Sequence, residues 1–281
     1  MPYTAQISRT NPACVLLMVD QSKSMAEPYG ASAAQSKAAV VADSVNRLIQ
    51  NLVLRSAKAG GVRDYFHIGL IGYGREVKSC LAGNLFNATL LPISKLSDTP
   101  LRIETRTRLT PDGSGGMTER KIKFPIWYEP QAGGPTPMCE AFDHACHAVR
   151  KFADTYPAAF PPIVLNMTDG QPTDGDPAGK AWLVRMVSTD DGSSLLFNIL
   201  MSVGAMPPTY FPASEDHLTD EYAVALYKMS SPLPPKLLDA ARAEGFGVRD
   251  GARGAVINAD PTALVRFLDI GTRVSPPGGA G

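Results

Sequence analysis

Residues Leu16–Met25 read LLMVDQSKSM. An apolar run ends on an aspartate, and serines follow at alternate positions, giving Asp20-x-Ser22-x-Ser24. The run begins at Cys14 and stays apolar to Val19, so neither face of the extended chain tolerates water. That is the pattern of a strand covered on both sides in a parallel sheet. Downstream, Ala34, Ala38, Val41, Val45, Leu48 and Leu52 recur at steps of three and four. They predict a helix over residues 33–57 with one apolar stripe. Residues 65–73 read as a second strand closed by Gly72 and Gly74. Strand, helix, strand is the parallel crossover unit.

The same pattern resumes near residue 134. The string GGPTPM opens a helix whose apolar positions are Met138, Ala141, Phe142, Ala145, Val149 and Phe152. Residues 161–167 read as another buried strand, which runs into TDGQPTDGD. A helix over 177–188, a strand over 195–203, and helices over 218–229 and 235–244 follow, the last stopped by Gly245. The string INAD reads as a short strand leading into Asp260 as N-cap and Pro261 at the first helical position. The final helix carries Leu264, Phe267 and Leu268. Residues 101–126 break the alternation. Two arms, 101–109 and 120–126, flank PDGSGG and predict an antiparallel hairpin rich in Arg and Lys. The expectation is a solvated edge hairpin whose positive charge blocks sheet-to-sheet association. A partner-docking arm is the alternative.

The sum is an α/β fold: a doubly wound, mostly parallel sheet flanked by helices, with a β-hairpin insertion. The 281 residues suit one such domain, assigned to 12–275, with the insertion at about 101–126 and a flexible tail at 276–281. Lys plus Arg and Asp plus Glu both number 27. Bulk charge therefore points to neither nucleic acid nor an anionic membrane as partner. The start of the chain carries no apolar signal core, and no run is long enough to span a bilayer. Cys14, Cys80, Cys139 and Cys146 make no CxxC pair, and reduced thiols in a cytoplasmic protein are expected.

Asp20 and Asp169 both fall where a strand ends, and in open α/β sheets the working site lies beyond the carboxyl ends of the strands. Asp20, Ser22 and Ser24 at alternate loop positions can turn three oxygens toward one point. Thr136 adds a hydroxyl and Asp169 a second carboxylate. An oxygen-only set of this kind suits a hard divalent cation such as Mg²⁺, with Mn²⁺ or Ca²⁺ as alternatives, and water completes the shell.

In these residues the chain resembles the von Willebrand factor A family with its metal-ion-dependent adhesion site. The family pattern is Asp-x-Ser-x-Ser, a later Thr, and a later Asp followed by Gly. Here these are Asp20, Ser22, Ser24, Thr136 and Asp169–Gly170. The strings IGYG, GGPTP, TDGQPTDGD and INADPTALVRFLDIGTRVS look most similar to the bacterial intracellular branch associated with tellurite resistance and stress. The resemblance implies a non-enzymatic, metal-dependent protein-binding module. Ser22, Ser24 and Thr136 would coordinate the metal, and Asp20 and Asp169 would act directly or through water. A Glu or Asp of a partner protein would take the open position, with kinase or phosphatase proteins as the associated partners. It further implies that the C-terminal helix, residues 260–274, is a candidate switch.

Structural alternatives accompany each residue. Thr136 before Pro137 is a good N-cap. Asp20 and Ser22 suit an Asx-type turn. Asp169–Gly170 and Asp174–Gly175 suit ordinary turns. Asp174 and Asp176 are read as shaping their loop and capping the helix at Pro177, with lining the metal pocket or binding a second ion as the alternative. Cys139 and Cys146 are read as packing residues. Glu140, His144 and His147 have helical spacing suited to a transition metal, but an exposed polar face is the expectation. Two functional rivals remain. One is a scaffold whose metal is structural. The other is an Mg²⁺-dependent hydrolase, for which no nucleophile or base motif is evident.

Overall fold

A strand buried on both faces needs neighbours on both edges, and the computed structural model supplies them. It describes residues 2–29, 35–81, 89–111, 116–201, 208–259 and 266–267. The first elements are β1 (Ala13–Asp20), a 3-10 turn (Lys23–Ala26), α1 (Lys37–Ser56) and a small hairpin of β2 (Ala57–Lys58) and β3 (Gly61–Val62). Next come β4 (Phe66–Tyr73), β5 (Val77–Ser79), β6 (Leu91–Pro92), α2 (Ile93–Asp98), β7 (Arg102–Pro111) and β8 (Met117–Ile126). The second half contains α3 (Met138–Thr155), β9 (Ile163–Thr168), α4 (Ala178–Met186), and the short pair β10 (Ser188–Thr189) and β11 (Gly192–Ser193). It closes with β12 (Leu195–Leu200), β13 (Thr209–Tyr210), α5 (Glu221–Met229), α6 (Pro235–Ala243) and β14 (Ala255–Ile257).

The main sheet has the order β13-β14-β12-β9-β1-β4-β5, with β6 also on β4. Strands β4, β1, β9, β12 and β14 are parallel neighbours, while β5, β6 and β13 pair antiparallel at the margins. From β1 the chain first adds β4 on one side and later adds β9 and β12 on the other. The order therefore reverses between β1 and β9, the switch point at which doubly wound sheets open a crevice. Helices cover both faces. Val15, Leu17 and Val19 of β1 join one apolar cluster with the α1 residues Val41, Val45, Leu48 and Leu52 and with Leu237 of α6. Leu16 and Met18 join another with Phe142 and Val149 of α3, Val184 of α4 and Leu226 of α5.

The α1 stripe is buried as its spacing predicts, from Ala38 to Leu52; Ala34 lies outside the described residues. The helix starts later than expected because Ser36 caps it, accepting from Ala39 N at 3.2 Å. The tail and most of the C-terminal helix also lie outside the described residues. Of that helix Phe267 is buried, against Phe197 and Phe211. Ahead of β1, Ile7 is buried in the core, and the Asp191 carboxylate accepts from Thr4 N and Ala5 N at 2.9 Å each.

The hairpin expectation needs correction. β7 and β8 form a two-stranded sheet of their own, not an edge of the main one. The margin beside β4 is taken by β5 and β6, which are three and two residues long. Runs that short carry no alternation to read. The hairpin instead lies on α1. Its Arg106 guanidinium sits 3.6 Å from the Phe124 ring centroid and pairs with Asp43 of α1 and with Glu104.

One layer of the sheet is polar inside. Tyr73 Oη donates to Asn166 Oδ1 at 2.7 Å, and Asn166 Nδ2 donates to Asn198 Oδ1 at 3.0 Å. Asn198 Nδ2 then donates to Ser230 Oγ at 3.0 Å, and Ser230 Oγ to the Leu226 carbonyl at 2.7 Å. These side chains are buried, and the row runs from β4 across β9 and β12 to the end of α5.

Candidate metal centre

The site grows from the last residue of β1. Asp20 is fully buried, and each of its carboxylate oxygens has a donor. Ser22 N–H donates to Oδ1 at 2.8 Å and Thr168 Oγ1 to Oδ2 at 2.7 Å. The first of these is the Asx-type turn that the sequence allows, and it aims the following serines. Burial pushes the Asp20 pKa up to about 6, although the hydrogen bonds from Ser22 and Thr168 pull the other way and the Asp169 charge adds to the rise.

From Asp20 the arrangement continues through hydroxyls. Ser22 Oγ and Ser24 Oγ lie 3.1 Å apart, and Ser24 Oγ donates to Asp169 Oδ1 at 2.7 Å. The second Asp169 oxygen accepts from Lys37 Nζ at 2.7 Å, and the same ammonium donates to Glu27 Oε2 at 2.8 Å. Lys37 is buried. Burial pulls its pKa down, but the Asp169 and Glu27 carboxylates outweigh that and raise it.

Thr136 comes from a third loop, which is tied to the other two by backbone bonds. Gly133 N–H donates to the Gln21 carbonyl at 2.7 Å and Lys23 N–H to the Gly134 carbonyl at 3.1 Å. Thr136 N–H donates to Thr173 Oγ1 at 3.0 Å, and Thr173 N–H returns a bond to the Thr136 carbonyl at 2.9 Å. The capping alternative for Thr136 does not hold. The α3 N-terminus is capped by Asp174, whose two oxygens accept from Cys139 N and Glu140 N at 3.1 and 3.0 Å. Asp174 was expected at the Pro177 helix, where Asp176 alone acts, accepting from Ala178 N at 2.9 Å. Thr136 is buried, and its hydroxyl joins no hydrogen bond among the described residues.

Asp20, Ser22, Ser24 and Asp169 thus form one bonded chain, with Thr136 held beside it through its backbone. No three His, Cys, Asp or Glu residues converge on a metal-sized point among the described residues. The donor set is two carboxylates and three hydroxyls, chemistry that fits a small hard cation. Glu140, His144 and His147 are all exposed on α3. Three participants go unannounced by the motif. Thr168 precedes Asp169 and reads as the strand's last residue. Thr173 sits in a loop of turn formers. Lys37 stands among apolar residues, and its signal is a charge in phase with Val41, Ser44 and Leu48, all buried.

No family model matches the sequence, and no curated protein matches it. Solved structures similar to the chain include a von Willebrand factor type A protein from Catenulispora acidiphila, with 14% identity over 94% of this chain and 43% of that one and a TM-score of 0.46. Proximal thread matrix protein 1 from the mussel byssus has 13% identity over 94% of this chain and 48% of its own, with a TM-score of 0.47. The pilus adhesin SpaC from Lactobacillus rhamnosus GG has 13% identity over 96% of this chain and 32% of its own, with a TM-score of 0.49. The chain spans less than half the length of each. The doubly wound assignment stands on strand order and register.

Proposed function

We propose that the chain is a von Willebrand factor A-type module that binds a protein partner through a divalent cation, with Mg²⁺ as the first choice. The observation that carries this reading is the bonded chain Asp20–Ser22–Ser24–Asp169 at the switch point of the sheet, with Thr136 excused from capping by Asp174. Ser22, Ser24 and Thr136 offer hydroxyl oxygens. Asp20 and Asp169 supply the negative charge and hold those hydroxyls. Thr168 and Lys37 orient the two carboxylates. A bound divalent ion would supply a dense positive charge able to take a Glu or Asp carboxylate from the partner.

A hydrolase reading has less support. It needs a base or nucleophile at the site, and the Lys37 amine is kept charged by two carboxylates. The setting attached to this module is bacterial intracellular stress or phosphorylation-linked signalling, with kinase or phosphatase proteins as partners and a cytoplasmic location. Its support is the resemblance in short strings around the site. No helix among the described residues is long and apolar enough to cross a membrane.

Isothermal titration of Mg²⁺ and of Mn²⁺ into chelator-stripped protein tests the reading, with Asp20→Ala alongside. One equivalent bound by the wild type and lost in the variant is expected. A folded wild type that binds neither ion would sink the metal reading, the structural-metal scaffold included, and move the partner contact to another surface such as the basic hairpin. Partner capture with and without chelator then follows from the positive result.

A further inference from the structure

Beside the candidate metal centre lies a cavity of about 480 Å³, lined by Gln21, Arg75, Glu76, Lys78, Gln131 and Gly133 among others. Its wall shares Gln21 with the Asp20–Ser24 loop and Gly133 with the loop that carries Thr136, so it opens at the same edge of the sheet. Its charges are not balanced. Lys78 is paired with Glu76 at 2.8 Å, whereas Arg75 is exposed and makes no ion pair among the described residues. Gln21 does not compete with it, because its amide nitrogen already donates to Tyr128 Oη at 3.0 Å and to Cys80 Sγ at 3.1 Å.

The backbone is shaped around this arginine. Gly134 has φ of +90°, and a Cβ there would stand 2.7 Å from both Arg75 N and Arg75 Cγ. At Gly74 a Cβ would stand 2.7 Å from the Gln21 carbonyl and 2.9 Å from that of Gly133. Two positions without side chains thus let three loops close up and let the Arg75 stem lie along the backbone. The guanidinium lies over Gly133, where a Cβ would stand 3.3 Å from Nε, and it makes no ion pair among the described residues, so its fork is available to take a carboxylate through two bonds. Lys23, between the two serines, is a second exposed cation with no ion pair among the described residues.

We infer that this cavity receives a second carboxylate of the same ligand, so that the partner presents an acidic segment with two carboxylates, one for the metal and one for Arg75. The first contact rests on the metal reading above; the second rests on the cavity and its arginine alone.

The probes are fluorescein-labelled, otherwise neutral Gly/Ser peptides carrying one glutamate, or two at increasing separation. Anisotropy in Mg²⁺ is expected to show one two-glutamate spacing binding about tenfold tighter than the single glutamate. Arg75→Gln should erase that gain and leave single-glutamate binding and the Mg²⁺ titration unchanged. Arg75→Lys, which keeps charge but loses the fork, should recover part of it. No gain from a second glutamate at any spacing overturns the inference, as does a gain indifferent to Arg75→Gln. A phosphoserine in the second place that binds through Arg75 more than tenfold tighter than glutamate overturns the carboxylate assignment. If Mg²⁺ fails to bind while a single glutamate still binds in chelator and Arg75→Gln abolishes that binding, the metal reading falls and the subsite stands.

Discussion

Asp20 is where burial and charge conflict most sharply. Its pKa is about 6 in the folded chain against about 4 for an unfolded aspartate. The folded state therefore holds a proton that the unfolded chain has released, and the stability this gives is full below pH 4. It is lost as pH rises through about 6, on the order of 2–3 kcal/mol for one such group. In chelator, the wild type should melt at a lower temperature at pH 7 than at pH 5, once other titrations are subtracted with Asp20→Asn. The asparagine keeps an acceptor for Ser22 N–H and has no charge to bury, so its profile should be flatter. Equal slopes for the two proteins would remove Asp20 as the cause. The five motif residues are legible in the sequence because each is a polar side chain at the mouth of an otherwise apolar strand or at a helix entry. Lys37 is not, because a run read for its apolar stripe treats one cation as an interruption.

Elements are separable here by what caps them. Asp174 satisfies two N–H groups of α3 from a different loop. Asp174→Ala should cost about 1 kcal/mol in urea unfolding, whereas Thr136→Val should change stability by about 0.5 kcal/mol or less. Metal titration should rank the two variants the other way, with Thr136→Val the more damaging. A large stability loss in Thr136→Val would return that residue to a structural role. The helices and the buried strands were readable because an apolar stripe or an apolar run persists over several residues in each. The hairpin was readable as a hairpin, from its turn and its arms, but its location was not. Nothing in an alternating pattern says which neighbour a strand pair lies against, and the contacts that settle it, Arg106 with Asp43 and Arg47 over the Phe124 ring, join the hairpin to α1 across distant sequence.

For the molecule as a whole, the doubly wound order was implicit in the alternation of strand and helix, and the polar row through one layer was not. Asn166 and Asn198 read as isolated exceptions in apolar strands, and only the register that sets them side by side gives them partners. Asn198→Leu would leave Asn166 Nδ2 and Ser230 Oγ short of a partner within a packed layer. The expected loss is about 2–4 kcal/mol of global stability, with a single cooperative transition retained. A loss below about 1 kcal/mol would mean that water replaces the missing amide. The row has a longer consequence. On the α1 side of the sheet, apolar side chains can be exchanged for others of like volume with small penalties. On the α3–α5 side, four hydrogen-bonding residues on four separate elements must change together or not at all. Drift in descendants of this chain should therefore be lopsided, with one face of the same sheet free to wander and the other held as a single inherited unit.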